Sequence, residues 1–550
     1  MRLGVHWFRR DLRIQDNVAF NENCRQTQGN TLGVFCLDTQ FLSRDDFSAN
    51  RFAFFLKTLL ELQKDLRNQG GDLWIVAAPP TVVLSCLMQV FGSTATTTTN
   101  SNSSTSNSSS MLLTWNRDYE PYARARDKTI YELAQQNSIE VKTYRDHLIL
   151  EPQEVLKSDG GFYQVFTPFA RKWLEVIQQK NYKDRVVAIT SPNGSTQASP
   201  LNKISFQKQL ALHTLRKYLQ TSVIHESGVS KVGTNSQYLN VLKKLECFLE
   251  SQTDDGSEFQ RQNDLKVTIK IPDAGTIVAQ EKFKKFQKLW VQSSEARKFG
   301  VNYTNERDFP FLNGTSQLSI YLKNGSLTTQ QIVRGLYQAC TGASHLKSTE
   351  KSFFSLENIF LKELIWREFY YSILLHCPRV EQESFLSQYK SINWENDIDL
   401  FEKWKSGQTG FPIVDAGMRQ LRQTGWMHNR VRMIVASFLT KDLLIDYRWG
   451  EKYFMHQLLD GDLAANNGGW QWAASTGCDA QPYFRIFNPW LQGAKFDPQA
   501  QYIKTYIPEL KNISAKEIHD PNGERNFPRY PNPIVDHALQ KQKAILLYKK

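Results

Sequence analysis

The chain has 550 residues, of which 41% are hydrophobic and 22% charged, a composition typical of a soluble globular protein that is too long for one compact core. Its formal net charge of +12 favours a polyanionic partner, with DNA or RNA ahead of a membrane surface. Seven cysteines without a C-x-x-C spacing argue against a disulfide framework and a zinc site, and no apolar run reaches the roughly 18 residues of a membrane span.

Residues 1–150 alternate short apolar runs with helical periodicity, which predicts a doubly wound parallel sheet of five strands. The predicted strands are Leu3–Phe8, Thr31–Leu37, Leu73–Ala77, Met111–Trp115 and Val141–Tyr144. Helical patterns cover Asn50–Asn68 and Tyr122–Gln136. Because the chain opens directly on the first strand pattern, we expect no signal or transit peptide.

Ligands of such sheets bind beyond the carboxyl ends of the strands. The turn after the first strand is Arg9–Arg13 rather than G-x-G-x-x-G, which argues against a standard dinucleotide site. Other strand ends offer Cys36–Asp38 and Asn116–Glu120, with Arg51 on the helix between them. These groups are equally suited to lining a crevice and to capping helices or forming salt bridges.

The remaining chain divides by composition. The Ser/Thr/Asn run at 93–110 predicts a disordered loop, and 151–270 reads as an interdomain linker with a polar, lysine-rich insertion at 183–265. Helical periodicity dominates 271–530, which predicts an all-helical domain, followed by a tail at 531–550.

The helical part contains an unusual polar stretch, Asp460-Gly-Asp-Leu-Ala-Ala-Asn-Asn-Gly-Gly-Trp-Gln-Trp-Ala-Ala-Ser475. A helix that only packs avoids Asn-Asn-Gly-Gly, since Gly costs about 1 kcal/mol against Ala in a helix interior. A simpler interpretation is a helix start capped by Asp462 with Trp470 and Trp472 in the core.

Three more segments combine polar and aromatic residues. Helical spacing places Glu363, Trp366, Arg367 and Tyr370 on one face, which is a plausible pocket lining. Gly425-Trp-Met-His-Asn-Arg-Val-Arg-Met433 repeats this pattern. Gly314-Thr-Ser-Gln-Leu-Ser319 places hydroxyls before a helix, where they are suited to phosphate or to an ordinary N-cap.

Taken together, these motifs resemble the cryptochrome/photolyase family and, within it, the class I cyclobutane pyrimidine dimer (CPD) photolyases. The resemblance covers residues 1–180 and about 275–530. It implies a Rossmann-like antenna domain and a helical domain holding one FAD, active as the reduced anion. Carried over residue by residue, the implied FAD site consists of Tyr303, Thr315, Ser316, Leu318, Ser319, Phe360, Glu363, Arg367, Asn429, Arg432, Asp460, Asp462 and Asn466.

The resemblance also implies the catalytic arrangement. Asn466 would face the flavin N5, where a neutral amide tolerates the anionic reduced ring. A dimer flipped out of the DNA would stack on Trp366 and Trp472, with Glu363 bonding its edge and Met433 beside it. The (6-4) photolyases carry histidines at the positions of Asn429 and Met433, so we expect a CPD. Candidate phosphate contacts are Arg307, Arg430 and Arg485.

Family members reduce an oxidised flavin along three tryptophans. Trp470 and Trp394 match the inner and outer positions, whereas Tyr447 occupies the middle one. An oxidised tyrosine readily loses its proton, so our hypothesis is that photoreduction is slowed while repair is unaffected. Trp449 lies two residues further on and is expected on another helical face.

For the antenna, Phe35, Cys36, Asp38, Arg51, Asp118 and Glu120 resemble the members that use 8-hydroxy-5-deazaflavin. We keep 5,10-methenyltetrahydrofolate, FMN, FAD and an empty site as alternatives. The predicted function is light-driven repair of CPD-containing DNA, single- or double-stranded, by a monomer in a prokaryotic cytoplasm or a eukaryotic nucleus. The alternatives are a cryptochrome-type photoreceptor without repair and a nucleic-acid binder without a cofactor. We predict no membrane partner and no metal.

Overall fold

The computed structural model describes residues 2–38, 41, 44, 46–76, 78–92, 111–187, 267–291, 301–312, 314–341, 352–521 and 527–549. The predicted disordered loop at 93–110 lies outside the described residues. The same holds for the lysine-rich insertion beyond residue 187.

The N-terminal region contains a parallel sheet of five strands in the order β3-β2-β1-β4-β5. Each neighbouring pair is parallel, and Val5 of the central strand is paired with Leu32 and Leu113 on its two sides. The strands are β1 (Leu3–Phe8), β2 (Thr31–Cys36), β3 (Leu73–Val76), β4 (Met111–Asn116) and β5 (Glu140–Tyr144). The predicted doubly wound sheet is therefore confirmed.

Helices cover both faces of the sheet, which is why β1, β2 and β4 are buried at every position. They are α1 (Val18–Gln26), α2 (Ala49–Asn68), α3 (Pro80–Gly92) and α4 (Pro121–Gln136). One face packs on α3 and α4 around Trp7 and Trp115, and the other packs on α1 and α2 around Phe8 and Phe20.

Sequence periodicity predicted α2 and α4 but missed α1 and α3. The α1 pattern is obscured because Asn23 is fully buried, where its amide donates to the Val5 and Leu112 carbonyl groups. Apolar side chains surround α3 on most sides, so it has no polar stripe to mark its period.

The second region is helical. Its first helices are α5 (Phe166–Ile177), α6 (Lys180–Val187), α7 (Thr276–Val291), α8 (Val301–Glu306), α9 (Ser319–Asn324), α10 (Thr329–Thr341) and α11 (Ile359–His376). They share one apolar core. Because α5 and α6 pack into this core, part of the segment predicted as a linker is built into the helical region.

A second helical core follows. Its helices are α12 (Ile398–Ser406), α13 (Pro412–Thr424), α14 (Asn429–Ser437), α15 (Tyr447–Gln457), α16 (Leu463–Ala473), α17 (Pro489–Phe496), α18 (Gln501–Tyr506) and α19 (Ala515–His519). A last helix, α20 (His537–Lys549), follows this core in the chain. A π-helical turn, Phe438–Asp442, extends α14. The predicted combination of an α/β domain and a helical domain is confirmed, while the exact domain boundaries stay predictions.

The two regions are tied together by buried polar contacts. Arg13 is fully buried and pairs with Asp146, and it donates a 3.3 Å hydrogen bond to the Gly325 carbonyl group. Gly325 has φ 77°, and a Cβ added there would lie 2.1 Å from the Arg10 carbonyl oxygen. This close approach requires glycine and fixes how α9 sits against the turn after β1.

Among the described residues, the helices are all too short or too polar to cross a membrane. The same residues contain no cluster of three or more His, Cys, Asp or Glu side chains that could hold a metal ion.

Candidate functional site

A cavity of about 310 Å³ lies between the carboxyl edge of the sheet and the helical region. All six residues of the predicted antenna site line it: Phe35, Cys36, Asp38, Arg51, Asp118 and Glu120. The location follows from topology, because β1, β2 and β4 end side by side at this edge. The structure thus brings the predicted residues together, and their role as an antenna site stays a prediction.

Charged groups in this cavity form a network around Arg10. Its guanidinium lies 2.9 Å from Asp462, 3.0 Å from Glu120 and 3.6 Å from Asp118. Lys323 of α9 adds contacts of 3.4 and 3.5 Å to Glu120 and Asp462. Burial opposes ionisation of Asp462, but the charges of Lys323 and Arg10 dominate and hold its pKa well below the usual value.

Arg51 is the least compensated cation of the cavity wall. Its guanidinium contacts the carbonyl oxygens of Met455 and Asp46, and no carboxylate of a described residue forms an ion pair with it. Burial lowers the pKa of Arg51 below that of an exposed arginine. A ligand that brings a partial negative charge to Arg51 would therefore be favoured.

The beginning of α16 joins this cavity to the predicted flavin site. Asp462 is the N-cap of α16 and accepts hydrogen bonds from the Ala465 N–H and the Tyr371 hydroxyl, the latter at 2.6 Å. Its neighbour Asp460 instead pairs with Arg432 of α14 at 2.8 Å. Asp460 thus contacts α14, whereas Asp462 caps α16 and pairs with Arg10 of the sheet domain.

The side-chain amide of Asn466 is fixed by one hydrogen bond and keeps a free acceptor. Its side-chain N–H donates to the Glu451 carbonyl oxygen at 3.0 Å. Its own carbonyl oxygen makes no hydrogen bond with a described residue, and the side chain is only partly buried. The amide is therefore held in place with its acceptor free, which fits a donor such as a reduced flavin N5.

The loop before α9 offers unused hydrogen-bonding groups. The hydroxyls of Thr315, Ser316 and Ser319 make no hydrogen bond within the described part of the chain and are partly exposed. Leu318 is buried beneath them. Free hydroxyls on an anchored loop suit a phosphate group, so the residues present fit FAD at this point.

An aromatic wall stands beside that loop. Tyr303 of α8 packs edge-on against Phe360 of α11, with 5.2 Å between ring centroids, and both rings are buried. On the same helix Arg367 donates to the His147 carbonyl oxygen at 2.7 Å and lies over the Tyr371 ring. The FAD residues predicted from α8, α9 and α11 therefore lie around one apolar core.

The predicted lesion residues occupy the polar face of α11 and its surroundings. Glu363, Trp366, Arg367 and Tyr370 are all partly exposed, while the intervening residues are buried, as the helical spacing predicts. Glu363 is paired with Arg307 at 2.7 Å. Trp366 stacks on Phe166 of α5, 3.7 Å between centroids and nearly parallel. One face of Trp366 is thus already covered, and a stacked base must use the remaining surface.

The other lesion and DNA candidates are dispersed around this face. Trp472 and Met433 are partly exposed, and no ring contact joins Trp472 to Trp366 in the described structure. Arg430 pairs with Asp308 at 2.9 Å and lies over the Phe496 ring. Asn429 and Arg485 are exposed, and Arg485 forms no ion pair with a described residue. Arg485 is the candidate most available to a phosphate.

The predicted electron-transfer residues occupy one core but differ in environment. Trp470 and Tyr447 are each 2% exposed, whereas Trp394 is partly exposed and packs against Tyr548. Burial raises the pKa of Tyr447 to about 12. Trp449 packs on Phe401 at 5.2 Å, away from Tyr447, as its spacing predicts.

Sequence reasoning missed several lining residues. Arg10 and Lys323 bridge the two sites, and the Tyr122 hydroxyl donates to Asp38 at 2.7 Å. The signal available for Arg10 was its position directly after β1, where topology places ligands. Lys323 had no local signal, because its role depends on how α9 meets the sheet.

Comparison with known proteins agrees with this geometry. A family model described as "DNA photolyase" matches residues 4–109 and 105–187, and one described as "FAD binding domain of DNA photolyase" matches residues 360–550. The fold and these matches define the class: a flavoprotein with an α/β domain joined to a helical FAD-binding domain.

Two relatives match this chain over nearly its whole length. A "Deoxyribodipyrimidine photo-lyase" of Alkalihalophilus pseudofirmus is 33% identical over 100% of this chain and 98% of its own, and one of Vibrio cholerae is 35% identical over 99% and 98%. The chain belongs to the DNA photolyase family. The predicted family is therefore confirmed.

Solved structures give the same picture. A bacterial class III photolyase from Agrobacterium tumefaciens has a TM-score of 0.72 at 28% identity, covering 100% of this chain and 97% of its own. An archaeal photolyase from Sulfolobus tokodaii with two FAD molecules scores 0.66 at 26% identity, covering 99% of both chains. A Synechocystis cryptochrome scores 0.71 at 22% identity, covering 100% and 99%, and shows the fold alone.

Proposed function

We propose that this protein is a deoxyribodipyrimidine photo-lyase, which repairs CPD lesions in DNA with light. The observation that carries the proposal is the free side-chain oxygen of Asn466, whose amide N–H donates to the Glu451 carbonyl oxygen. The helix α16 that carries Asn466 packs on α11 and α14, which supply other predicted FAD residues, among them Arg367 and Arg432. Full-length similarity to relatives of that name supports it. The +12 charge suits a DNA substrate.

When bound and reduced, FAD supplies the chemistry: on excitation it lends an electron to the dimer and recovers it after the ring has split. The chain contributes binding and electrostatics. Thr315, Ser316 and Ser319 would hold the phosphates, and the Arg432–Asp460 pair would flank the ring system. Asn466 would accept from N5 without placing a second negative charge beside a reduced, anionic ring.

Lesion binding at α11 would use the second oxygen of Glu363. One carboxylate oxygen pairs with Arg307 at 2.7 Å, and the other would accept a hydrogen bond from the pyrimidine edge. Trp472 and the open surface of Trp366 would stack on the flipped bases, with Met433 at their side. Arg307 and Arg485 would neutralise flanking phosphates, and Arg430 would follow if it leaves Asp308.

For the interdomain cavity we propose 8-hydroxy-5-deazaflavin as the antenna, with FMN, FAD, folate or no chromophore as alternatives. The aromatic wall around Phe35 suits a planar ring, and Arg51 lacks a carboxylate partner among the described residues. The chromophore that co-purifies with the protein, identified by mass spectrometry, decides among them. We further propose a monomer that works in the cytoplasm of a prokaryote or, if the organism is a eukaryote, in its nucleus.

A cryptochrome-type photoreceptor without repair is the second candidate, because that fold is shared. Asn466, Trp366, Trp472 and Met433 have the residue types that repair requires, which favours the enzyme.

The decisive experiment reduces the flavin of the purified protein, adds CPD-containing DNA and illuminates with blue light. We expect dimers to disappear under light and persist in a dark control. Asn466→Asp, which sets a carboxylate against the anionic ring, serves as the matched variant and should repair about tenfold more slowly. Persistence of the dimers under light, with FAD bound and reduced, would rule out the enzyme and favour the photoreceptor.

A further inference from the structure

The buried ring of Trp470 has an indole neighbour that the sequence motifs did not reveal. Trp404 of α12 lies with its ring centroid 6.1 Å from that of Trp470, at an interplanar angle of 71°. Trp404 is fully buried. Its Nε1–H donates to the Val435 carbonyl oxygen at 3.1 Å. A hydrogen bond to a carbonyl group stabilises positive charge on an indole, because the N–H becomes more acidic as the ring is oxidised.

Tyr447 is poorly placed by comparison. It shares the apolar core with Trp470, but no ring contact among the described residues joins it to Trp470 or to Trp394. A buried phenol is also a difficult electron donor, because its oxidation is coupled to loss of the hydroxyl proton. An indole can be oxidised without losing its proton at the same moment. Both distance and chemistry therefore favour Trp404 over Tyr447.

A path leads from Trp404 to the surface. Phe401 stacks on Trp404 at 5.7 Å with 14° between the planes, and Trp449 meets the other side of Phe401 at 5.2 Å. Trp449 is partly exposed. Tyr453 also touches Trp404, at 5.7 Å, and the Lys405 ammonium lies over the Tyr453 and Phe401 rings alike, at 5.6 and 5.2 Å. The two exits differ in chemistry, because oxidation of the Tyr453 phenol is coupled to loss of its proton, whereas an indole is oxidised without it. Trp449 is therefore the better exit.

We propose that Trp404, and not Tyr447, supplies the electron to Trp470, and that Trp449 is the exit of this chain, reached across Phe401. This inference rests on the proposed function, because it needs the flavin beside Trp470. It assigns a role to three residues outside the predicted site, and Phe401 serves only as a bridge.

The electrons balance as follows. Trp470 gives one electron to the light-excited oxidised flavin, Trp404 gives one to Trp470, and Trp449 gives one to Trp404. Oxidised Trp449 releases its indole proton to water. A thiol in solution then returns one electron, and water returns the proton, so that the net change is one electron from thiol to flavin.

The test is transient absorption of the holoenzyme with oxidised FAD after a laser flash, measuring the yield of the long-lived tryptophan radical. The matched variants are Trp404→Phe and Tyr447→Phe, which each replace one core ring by phenylalanine. We expect Trp404→Phe to lower the yield about tenfold and Tyr447→Phe to change it less than about twofold. An unchanged yield in Trp404→Phe, or a loss in Tyr447→Phe as large as that in Trp404→Phe, overturns the proposal.

Two further variants test the exit of the path and the placement of position 447. Trp449→Phe lies at the surface and should also lose the long-lived radical, with an unchanged FAD spectrum and thermal midpoint. Tyr447→Trp placed in the Trp404→Phe background should leave the yield low, because position 447 makes no ring contact with Trp470 among the described residues. Full recovery of the yield by that indole would show that position 447 supplies Trp470 from where it lies, and the proposal would fall.

Failure of the proposed function has a different signature. It would appear as absence of repair by chemically reduced protein, a measurement that does not use Trp404 at all. Repair that proceeds while Trp404→Phe keeps its radical yield would remove this inference alone.

Discussion

The interdomain cavity and the predicted FAD loop before α9 (residues 314–319) differ in whether their polar groups are already bonded to other parts of the chain. In the cavity, Arg10 is shared by Asp118, Glu120 and Asp462, and Lys323 reaches two of the same carboxylates. In the predicted FAD loop, the hydroxyls of Thr315, Ser316 and Ser319 form no hydrogen bond within the described chain, and neither does the side-chain oxygen of Asn466 on α16. A site whose charges largely satisfy each other selects a ligand by shape and stacking. A site with unmet groups selects by polar contacts, and its ligand is easier to infer.

The largest expected effect comes from breaking the cavity network. Arg10→Gln leaves Glu120 and Asp462 with Lys323 as their remaining cation and removes the one ion pair that Asp118 forms with a described residue. We therefore expect a loss of about 3–5 kcal/mol in the free energy of unfolding. Arg25→Gln is the matched control, because Arg25 forms an exposed pair with Glu22. It should cost less than about 0.5 kcal/mol. Urea unfolding measures the free energy of unfolding of both variants. Similar losses in the two would show that Arg10 does not stabilise the buried carboxylates.

The helical region contains a buried carboxylic acid, Glu451, whose titration should change the free energy of unfolding with pH. Burial raises the pKa of Glu451 from 4.5 to about 8, with the Asn467 amide as a weaker opposing influence. The folded state therefore binds a proton that the unfolded state releases, and stability falls as pH rises through this window. Between about pH 6 and pH 8 the loss should be about 2 kcal/mol. In Glu451→Gln this fall should disappear, and urea unfolding at the two pH values checks it; an unchanged slope would contradict it.

The close packing of α16 on α11 predicts the next largest change in stability. A Cβ at Gly468 would lie 2.1 Å from the Tyr370 ring, whereas at Gly469 it would meet nothing within 4 Å. Gly468→Ala should therefore destabilise the protein by about 1–3 kcal/mol through overpacking. Gly469→Ala, the adjacent control, should gain up to about 1 kcal/mol from helix propensity. Thermal midpoints that fall equally in both variants would refute the close packing of α16 on α11.

The smallest effect concerns a single unpaired arginine. Arg485→Ala should reduce the slope of log affinity against log salt by about 1, because it removes one phosphate contact. Arg430→Ala should change the slope less, since Arg430 pairs with Asp308 in the free protein. Fluorescence anisotropy with labelled DNA at several salt concentrations measures both. Equal slopes in Arg485→Ala and the unaltered protein would remove Arg485 from the DNA surface.

Local patterns were enough to predict the sheet, the polar face of α11 and the residues around Asp460, because each depends on residues close together in sequence. Contacts between segments far apart in the sequence could not be predicted, because they depend on how the helices pack. Arg10 and Asp462 are separated by 452 positions. Phe166 covers Trp366 only because α5 packs into the helical core. Trp404 is a lone tryptophan in its helix, and nothing in its neighbourhood indicates that it meets Trp470.

Asp462 has a consequence for attempts to exchange light-harvesting modules between proteins. The same carboxylate caps α16 and receives Arg10 from the sheet domain. A grafted sheet domain without an arginine after its first strand would leave this carboxylate without its closest cation, at the first turn of the helix that carries Asn466 and Trp470. In such a chimaera the start of α16 would lose an ion pair that holds it against the sheet domain. An exchanged sheet domain should therefore keep an arginine at the position of Arg10.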